Sequence, residues 1–370
     1  MNDKIMVTRS SMPPFEEYVE EIRSIWESRW LTNSGPKLQE FESKLRELFG
    51  VDNATVSVNG HMALEGILEV LGLEGEVITT PFTFVSTTNA IVRSGLTPVF
   101  CDIKEDDFTL DPAKVEALIT DKTSAIMPVH VYGNVCDNDA LQKIADKYGL
   151  KIIYDAAHAF GVKKDGVNVA SMGDASMFSL HATKMFHSIE GGVAVFKESD
   201  NVKQMNYFKN FGLTGPETLS FTGGNSKMNE FSAAMGLCNL RHLNDAVASR
   251  KEAVLQYRER LSGVKGLQLN VVQDGVESNY AYFPIIIHPE EFGATRDDVM
   301  SRLAEDGIGA RKYFYPLTSS VESFGGKYPA EDTPIAKRIS ERVLSLPLYE
   351  GIGEDTVNRI CDSILATERK

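Results

Sequence analysis

Lys151–Gly161 reads KIIYDAAHAFG, and Ser179–Gly192 reads SLHATKMFHSIEGG. The first stretch is an apolar run that ends at Asp155, and the second places Lys184 in a loop of small residues. An aspartate can keep a pyridinium nitrogen protonated, and a buried lysine can form an imine with an aldehyde cofactor. Pyridoxal phosphate needs both groups. Together, and in this order, the two stretches indicate pyridoxal phosphate chemistry, with Lys184 and Asp155 as catalytic residues.

Short apolar or β-branched runs alternate with helical stretches through much of the chain. The runs that predict strands are Ala54–Val58, Glu76–Thr80, Pro98–Ile103, Ala125–Val131, Lys151–Tyr154, Ala175–Ser179 and Gly192–Phe196. The helical stretches between them include Met62–Leu71, Pro112–Ile119 and Asn138–Lys147. This alternation predicts an α/β fold with a mainly parallel sheet covered by helices on both faces. Ligands of such sheets bind at the carboxyl ends of the strands, which is where Asp155 falls.

Helical patterns precede the sheet region, and a mixed pattern follows it. Helices are predicted after Pro14 and after Pro36. The elements predicted after Glu230 are one long helix, or two, over Phe231–Arg260, a strand over Tyr280–Ile287, and helices near Arg296–Glu305 and Pro334–Val343. We therefore predict a large α/β domain at residues 1–248, with its N-terminal helices, and a smaller α+β domain at residues 249–370.

Size and composition restrict the class of protein. Its 370 residues can bury a large core, and its net charge of −14 argues against nucleic-acid and anionic membrane partners. No run approaches the length of apolar sequence that spans a bilayer. The four cysteines are scattered, without a C-x-x-C pair, which favours reduced thiols over disulfides or a zinc site. We expect a cytoplasmic protein that binds no nucleic acid, membrane or metal.

Three polar segments are candidates for holding a phosphate. Gly60 and His61 follow a strand and start a helix, whose free N–H groups favour an anion. Ser179 offers a hydroxyl at the start of the small-residue loop. Asn225 and Lys227 follow a glycine pair before another helix. An ordinary strand-to-helix turn and a flexible surface loop are the alternatives for the first and third segments.

Aromatic and cationic side chains supply further candidates. Phe84 follows a strand and can stack on a pyridine ring, with a core phenylalanine as the alternative. His158 can donate a hydrogen bond to a phenolate oxygen. Arg311, Tyr313 and Tyr315 combine a cation with aromatic rings, which suits a nucleotide diphosphate, and surface packing is the alternative.

The chain resembles the sugar aminotransferases of the DegT/DnrJ/EryC1/StrS family, within the fold-type I, aspartate-aminotransferase-like superfamily. The resemblance extends from Trp30–Gly35 to Ser345–Tyr349, and its most specific motifs are Asp155–Ala159 and Ser179–Lys184. It implies a fold-type I structure, with a mainly parallel seven-stranded sheet between helices and a smaller C-terminal domain. It also implies amino transfer, because relatives that dehydrate carry histidine where this chain has Lys184.

The resemblance implies a role for each candidate of the cofactor site. Lys184 would carry pyridoxal phosphate covalently and shuttle a proton, while Asp155 would bind the pyridine nitrogen. His158, where many members have Gln, would bind the ring hydroxyl oxygen, and Phe84 would cover the ring. The residues implied to hold the phosphate are Gly60, His61 (Ser or Thr in most members), Ser179 and, from the neighbouring subunit, Asn225.

The resemblance also implies the substrates and the assembly. L-glutamate would donate the amino group. The Trp30–Gly35 segment resembles that of members that act at C4 of a dTDP-4-keto-6-deoxyhexose. The amino sugar that such members make is used for O-antigen or antibiotic sugars. The residues implied to bind substrate are Thr32, His181, Lys227, Arg311, Tyr313 and Tyr315. A homodimer with shared active sites would be the working unit. A UDP-4-keto-6-deoxy-N-acetylhexosamine substrate, a dTDP-3-keto substrate and a non-catalytic regulatory protein stay open as alternatives.

Overall fold

The computed structural model of the chain describes residues 4–324, 326–328 and 330–367. Its α-helices are α1 (Phe15–Ser28), α2 (Pro36–Phe49), α3 (Gly60–Val70), α4 (Val85–Arg93), α5 (Pro112–Val115), α6 (Asn138–Tyr148), α7 (Ser199–Phe208), α8 (Glu230–Arg241), α9 (Leu243–Leu261), α10 (Pro289–Phe292), α11 (Arg296–Glu305), α12 (Pro334–Arg342) and α13 (Glu354–Leu365). Its main strands are β1 (Ala54–Ser57), β2 (Glu76–Thr79), β3 (Thr97–Phe100), β4 (Thr123–Met127), β5 (Lys151–Asp155), β6 (Ala175–Ser179), β7 (Gly192–Phe196), β8 (Leu267–Leu269), β9 (Pro284–Ile287) and β10 (Val343–Ser345). Within the described ranges, no helix is both long and apolar enough to cross a membrane.

The first seven strands form one sheet, in the order β1–β7–β6–β5–β4–β2–β3. β2 pairs in parallel with β3 and β4, and β5 pairs in parallel with β4 and β6. β7 runs antiparallel to both of its neighbours, β1 and β6. A parallel connection needs a crossover, usually a helix, whereas the fully described loop of residues 180–191 contains no helix. The predicted mainly parallel α/β fold is confirmed. The loop that contains Lys184 connects two antiparallel strands, β6 and β7.

The structure differs from the predicted boundaries at several places. The sequence predicts β4 up to Val131, but the strand ends at Met127, because Pro128 follows and has no N–H to donate to a neighbouring strand. A 3₁₀ turn then begins at Val131, with Tyr132 in the left-handed region at φ 58°. Over 231–260, where the sequence predicts one long helix or two, the structure has two, which meet at His242. Val343, at the end of a predicted helix, begins β10 instead. The sequence also misses α4, whose β-branched and polar first turn has weak helix propensity.

Two hydrophobic clusters meet along helix α9. Leu243 and Val247, near its start, pack on a cluster of the large sheet that includes Phe178. Tyr257 and Leu261, near its end, are fully buried in a second cluster, against the antiparallel sheet β8–β9–β10. One continuous helix therefore carries the chain from the first cluster to the second. The division into residues 1–248 and 249–370 stays a prediction.

Glu230 joins the start of α8 to the start of α2. Its side chain is buried, and its carboxylate accepts hydrogen bonds from the backbone N–H groups of Lys37 at 2.8 Å and Leu38 at 3.2 Å. Helix α2 has no side-chain cap from its own N-cap residue. Glu230 therefore supplies both the missing acceptors and a negative charge at the positive end of this helix. A Cβ at Gly35 would lie 2.5 Å from the Glu230 Cδ, so glycine leaves the space that the carboxylate fills.

We expect Glu230→Ala to lower the free energy of unfolding by about 2–3 kcal/mol, because two N–H groups lose a charged acceptor. Urea denaturation followed by circular dichroism measures this change. Glu27→Ala, on the exposed side of α1, is the matched control and should change the free energy of unfolding by less than about 0.5 kcal/mol. An equal loss in both variants would contradict the capping role of Glu230.

Candidate active site

Asp155 is the last residue of β5, and it is only 4% exposed. Its Oδ2 accepts a hydrogen bond from the Thr87 hydroxyl at 2.6 Å, and its Oδ1 accepts one from the backbone N–H of Ala157 at 3.1 Å. Burial raises the pKa of this carboxyl above its ordinary value, although these hydrogen bonds and the charge of Lys184 act in the opposite direction. An adjacent cation would favour the ionised carboxylate, and a protonated pyridine nitrogen is such a cation.

The backbone fixes the tautomer of the buried His158 imidazole. Its Nδ1 accepts a hydrogen bond from the backbone N–H of Tyr132 at 3.0 Å. A backbone N–H can only donate, so the proton of the neutral ring is on Nε2. Burial, and secondarily the charge of Lys184, hold the pKa of His158 well below its ordinary value. His158 is therefore a neutral donor through Nε2, which is the form that can bind a phenolate oxygen.

We expect the depressed pKa of His158 to make the protein less stable in acid. In the unfolded chain this residue binds a proton near pH 6.5, whereas the folded residue does not. Stability that is present above this pH is therefore lost as the pH falls below it. At pH 5.5, wild-type protein should take up about one more proton on unfolding than His158→Gln, which keeps a donor and an acceptor. Proton uptake in a pH-stat measures this difference, and equal uptake by both proteins would contradict it.

Lys184 is half-buried in the loop between β6 and β7. Its Nζ lies 6.0 Å from the centre of the Tyr282 ring. This side-chain amine makes no hydrogen bond or ion pair with any residue that the structure describes. The loop backbone is held in place, because the Lys184 N–H donates to the His181 carbonyl at 2.8 Å and the Ser10 hydroxyl donates to the Ala182 carbonyl at 2.7 Å. An ordered backbone with an uncommitted amine suits attack on an aldehyde carbon.

The first turn of α3 comes very close to the end of β6. A Cβ at Gly60 would lie 3.1 Å from the Ser179 Cβ and 3.1 Å from the Met177 Sδ, which is tighter than ordinary contact. Asn59 caps the helix by accepting the Met62 N–H at 2.9 Å, and other N–H groups of this turn have no partner within the helix. The Ser179 hydroxyl and the N–H groups at the start of α3 can therefore donate to one anion, and their phosphate-binding role stays a prediction.

The His61 side chain is committed to two protein partners. Its Nδ1 lies 2.8 Å from the Ser86 hydroxyl, and its Nε2 lies 3.0 Å from the Glu65 carboxylate. The backbone N–H of His61 is then the group that remains for a phosphate. The phosphate-binding role of His61 stays a prediction.

Aromatic rings form one side of the site. Phe84 is 51% exposed, and its ring centre lies 6.4 Å from that of Tyr313. Tyr313 lies 6.2 Å from His158, and Tyr282 lies 4.6 Å from His158 and 5.6 Å from Tyr313. The exposed ring of Phe84 can therefore stack on a flat group next to His158.

Three residues of this site are not among the sequence-predicted set. Thr87 holds the Asp155 carboxylate, Tyr132 orients His158, and Tyr282 packs between His158 and the Lys184 loop. Thr83 Oγ1 and Thr87 Oγ1 lie 2.9 Å apart, one helical turn from each other on the chain. That spacing is the only sequence signal for any of the three, because the two tyrosines look like core aromatics.

Two predicted substrate residues lie apart from this cluster. Thr32 is exposed in a turn, where its carbonyl accepts the indole N–H of Trp30 at 2.6 Å. The Tyr315 ring packs on Arg296, whose guanidinium carbon lies 4.9 Å from the ring centre. Their contact with a substrate stays a prediction.

Arg311 pairs through its backbone with Ser345 at the end of β10, and its contact with a substrate stays a prediction. The remaining predicted residues, His181, Asn225 and Lys227, lie on two loops. The His181 Nδ1 accepts the Thr183 N–H at 3.2 Å, which leaves its ring at the edge of the Lys184 loop. Lys227 donates to the Asn225 Oδ1 at 2.8 Å, and Asn225 is exposed. The contact of Asn225 with a phosphate, and its arrival from a second subunit, stay predictions.

The residues present fit pyridoxal phosphate. The buried carboxylate of Asp155 suits a protonated ring nitrogen, and the Nε2–H of His158 suits the ring oxygen. The uncommitted amine of Lys184 suits the aldehyde, and the close approach of Gly60 to Ser179 suits the phosphate. Each polar group of the cofactor thus has a partner of matching chemistry near the carboxyl ends of β5 and β6.

The chain is similar to known proteins of an aminotransferase family. Residues 15–365 match the model of the DegT/DnrJ/EryC1/StrS aminotransferase family. An Escherichia coli protein named dTDP-4-amino-4,6-dideoxy-D-glucose transaminase is 41% identical over 369 residues, which cover 99% of this chain and 99% of the relative. A protein of the same name from Shigella dysenteriae is 39% identical over 364 residues, which cover 98% of this chain and 99% of the relative.

The fold agrees with this match. The solved structure of DesI in the presence of its TDP-sugar product is similar with a TM-score of 0.95 and 35% identity, and the match covers 100% of this chain and 94% of DesI. The aminotransferases of this family depend on pyridoxal phosphate, so the predicted family and the predicted cofactor are both confirmed. The chain belongs to the DegT/DnrJ/EryC1/StrS aminotransferase family.

Proposed function

We propose that this aminotransferase moves the amino group of L-glutamate to the C4 ketone of dTDP-4-keto-6-deoxy-D-glucose and so makes dTDP-4-amino-4,6-dideoxyglucose. The name of the two relatives at 41% and 39% identity supports this substrate, because the similarity covers both chains almost end to end. The observation that supports the reaction is the arrangement of Asp155, His158 and Lys184 around one edge of the sheet.

Each half-reaction moves a proton beside the cofactor. Pyridoxal phosphate, when bound, supplies an electron sink for the carbon that carries the transferred nitrogen. Asp155 keeps the ring nitrogen protonated, which maximises this electron withdrawal. The Lys184 amine takes the proton from the α-carbon of the donor and delivers it to C4′ of the cofactor. The same two residues act in the reverse direction on the ketosugar, so ping-pong kinetics are expected.

A panel of ketosugars tests the substrate. The protein is incubated with L-glutamate and either dTDP-4-keto-6-deoxy-D-glucose, a dTDP-3-keto-6-deoxyhexose or a UDP-4-keto-6-deoxy-N-acetylhexosamine. Mass spectrometry detects the amine, and proton couplings in the NMR spectrum place it at C3 or C4. We expect the first sugar to have the highest kcat/KM, with the amine at C4. A higher kcat/KM for either of the other two sugars would overturn the assignment.

We also propose a cytoplasmic homodimer with shared active sites. Three apolar residues lie on the same outer face of α1: Phe15 is 74% exposed, Trp26 is 68% exposed and Val19 is 37% exposed. This exposed apolar stripe supports the dimer, because such surfaces usually mark protein–protein contacts. The exposed position of Asn225 supports its contribution to a neighbouring site. The four free, buried cysteines are consistent with a reducing compartment.

Complementation between inactive subunits tests the shared site. Lys184→Ala lacks the catalytic amine, and Asn225→Asp places a carboxylate against the cofactor phosphate, so each homodimer should be inactive. A heterodimer of the two variants has one site with both wild-type residues, and co-expression should restore about one quarter of wild-type activity if subunits mix at random. Absence of any recovery in a heterodimer isolated with two affinity tags would contradict the sharing of residues.

A further inference from the structure

Residues 5–13 form an N-terminal strap that runs from the small antiparallel sheet to the loop that contains Lys184. At its first end, Ile5 is 8% exposed and lies in the hydrophobic cluster of that sheet. Two residues later, the Val7 carbonyl accepts the backbone N–H of Leu348 at 3.2 Å. The strap is therefore attached to the small sheet before it reaches the loop.

Two consecutive residues of the strap hold the loop on both sides of Lys184. The Ser10 hydroxyl donates to the Ala182 carbonyl at 2.7 Å, two positions before the lysine. The Ser11 carbonyl lies 2.5 Å from the Nε2 of His187, three positions after the lysine. The two contacts thus bracket the residue that carries the reacting amine.

The protein fixes the His187 ring that makes the second contact. This ring is 2% exposed, and its Nδ1 accepts the backbone N–H of Ile189 at 3.2 Å. Burial lowers the pKa of His187, which favours the neutral ring. A backbone N–H can only donate, so the proton of the neutral ring is on Nε2 and is donated to the Ser11 carbonyl. The His187 carbonyl also accepts the side-chain amide of Asn239 on α8 at 2.8 Å, so this histidine joins the strap, the loop and α8.

The strap has little slack between its two attachments. Two residues separate Val7, which is bonded near the small sheet, from Ser10. Their Cα atoms can therefore be at most roughly 11 Å apart. Strap residues 11–13 and loop residues 185–187 also line a common cavity of about 150 Å³. The two segments are not closely packed there, so the hydrogen bonds are what join them.

We propose that Ser10 and His187 are positioning residues that hold the Lys184 amine in place for proton transfer. This inference rests on the proposed function, in which that amine carries the proton. The amine makes no hydrogen bond or ion pair with the described residues, so the loop backbone decides where it can reach. A displacement of about 1 Å can cost about 10²-fold in rate. A loosened loop should therefore slow the reaction without weakening the binding of the amino donor.

Hydrogen exchange of the full-length, cofactor-free protein tests the link without turnover. Peptides that cover residues 180–191 should exchange roughly 3- to 10-fold faster in Ser10→Ala than in wild type. Ser171→Ala is the matched control, because this exposed hydroxyl also donates to a carbonyl, that of Asn168 at 2.9 Å. Ser171 precedes β6 and so lies at the other end of that strand from the Lys184 loop, where its loss should leave the exchange of 180–191 unchanged. Unchanged exchange in Ser10→Ala would overturn the proposal.

Single-turnover mixing of the cofactor-loaded enzyme with L-glutamate tests the positioning. The rate constant should fall roughly 3- to 10-fold in Ser10→Ala, while the Kd of L-glutamate should stay within about twofold of wild type. The isotope effect of α-deuterated L-glutamate on kcat should increase, because proton transfer then limits turnover to a greater degree. Ser10→Thr keeps the hydroxyl and should restore both values. Faster exchange with an unchanged rate constant would show that the strap orders the loop without positioning the amine, and it would also overturn the proposal.

Two variants of His187 test the second contact. Glutamine in His187→Gln keeps a side-chain donor near the position of Nε2, whereas His187→Leu removes it. The single-turnover rate constant should therefore be roughly 3- to 10-fold lower in the leucine variant than in the glutamine variant. Equal rate constants would contradict the role of His187, and if the leucine variant does not fold, the exposed Ser10 variants still decide the proposal. Failure of the proposed function would instead appear as a wild-type enzyme that does not react with L-glutamate, and hydrogen exchange would still report on the link.

Discussion

Lys184→Ala should lower kcat/KM by about 10⁴-fold or more and should remove the yellow colour of the cofactor-loaded protein. The loss combines two functions of one amine, which are covalent attachment of the cofactor and transfer of the proton between the donor carbon and C4′. Water does not replace either function, because it is a weaker base and forms no imine. Absorbance spectra and steady-state kinetics with L-glutamate measure the two effects separately.

Two substitutions separate the nucleophile from its charge. Lys184→Arg keeps a cation but cannot be deprotonated, so it should be as inactive as the alanine variant. Lys203→Ala removes an exposed lysine of α7 and should leave both colour and turnover unchanged. Borohydride reduction followed by peptide mass spectrometry should place the cofactor on residue 184 in wild-type protein alone. A cofactor-labelled peptide from another lysine in Lys184→Ala would contradict the assignment of the attachment site.

The sequence predicts the charged residues of the site better than the groups that support them. Asp155 and Lys184 are recognisable because a carboxylate that ends an apolar strand and a lysine among small residues are both costly without a partner. The supporting residues are distant on the chain from the residues that they contact. Tyr132 and Tyr282 lie 26 and 124 positions from His158, and Thr87 lies more than 60 positions from Asp155. Such contacts exist only after folding, so no local pattern indicates the two tyrosines, and the spacing of Thr83 and Thr87 is the one local signal for the third residue.

The same limit applies to the fold. Alternation of apolar runs with helical stretches predicts the parallel sheet, because periodicity is a local property. β7 runs antiparallel to β6 because residues 180–191 form no crossover helix. The sequence predicts this direction only if these residues are first recognised as an irregular loop. The turn at Tyr132 directs its backbone N–H at His158, and such a tertiary contact has no local sequence pattern.

Asp155→Asn should weaken binding of pyridoxal phosphate and lower kcat by about 10²- to 10³-fold. The substitution leaves a neutral side chain of the same shape, so the ring nitrogen loses the buried charge that keeps it protonated, and a broken buried ion pair costs about 3–5 kcal/mol. Fluorescence or absorbance titration of cofactor-free protein measures the Kd for the cofactor. Single-turnover mixing with L-glutamate measures the chemical step without product release.

Thr87→Val separates the charge of Asp155 from its orientation. This variant removes the 2.6 Å hydrogen bond to Oδ2 but keeps the carboxylate, so we expect a loss in kcat of only about tenfold. Burial already raises the pKa of Asp155, and the loss of Thr87 removes an effect that lowers it. In Thr87→Val, the Asp155 carboxylate should therefore become protonated at a higher pH than in wild type. The acid limb of the plot of kcat against pH should shift to higher pH. If Asp155→Asn lost no more activity than Thr87→Val, the charge of Asp155 would not be what activates the ring. The residue would then serve only to position the helix α4 side of the site.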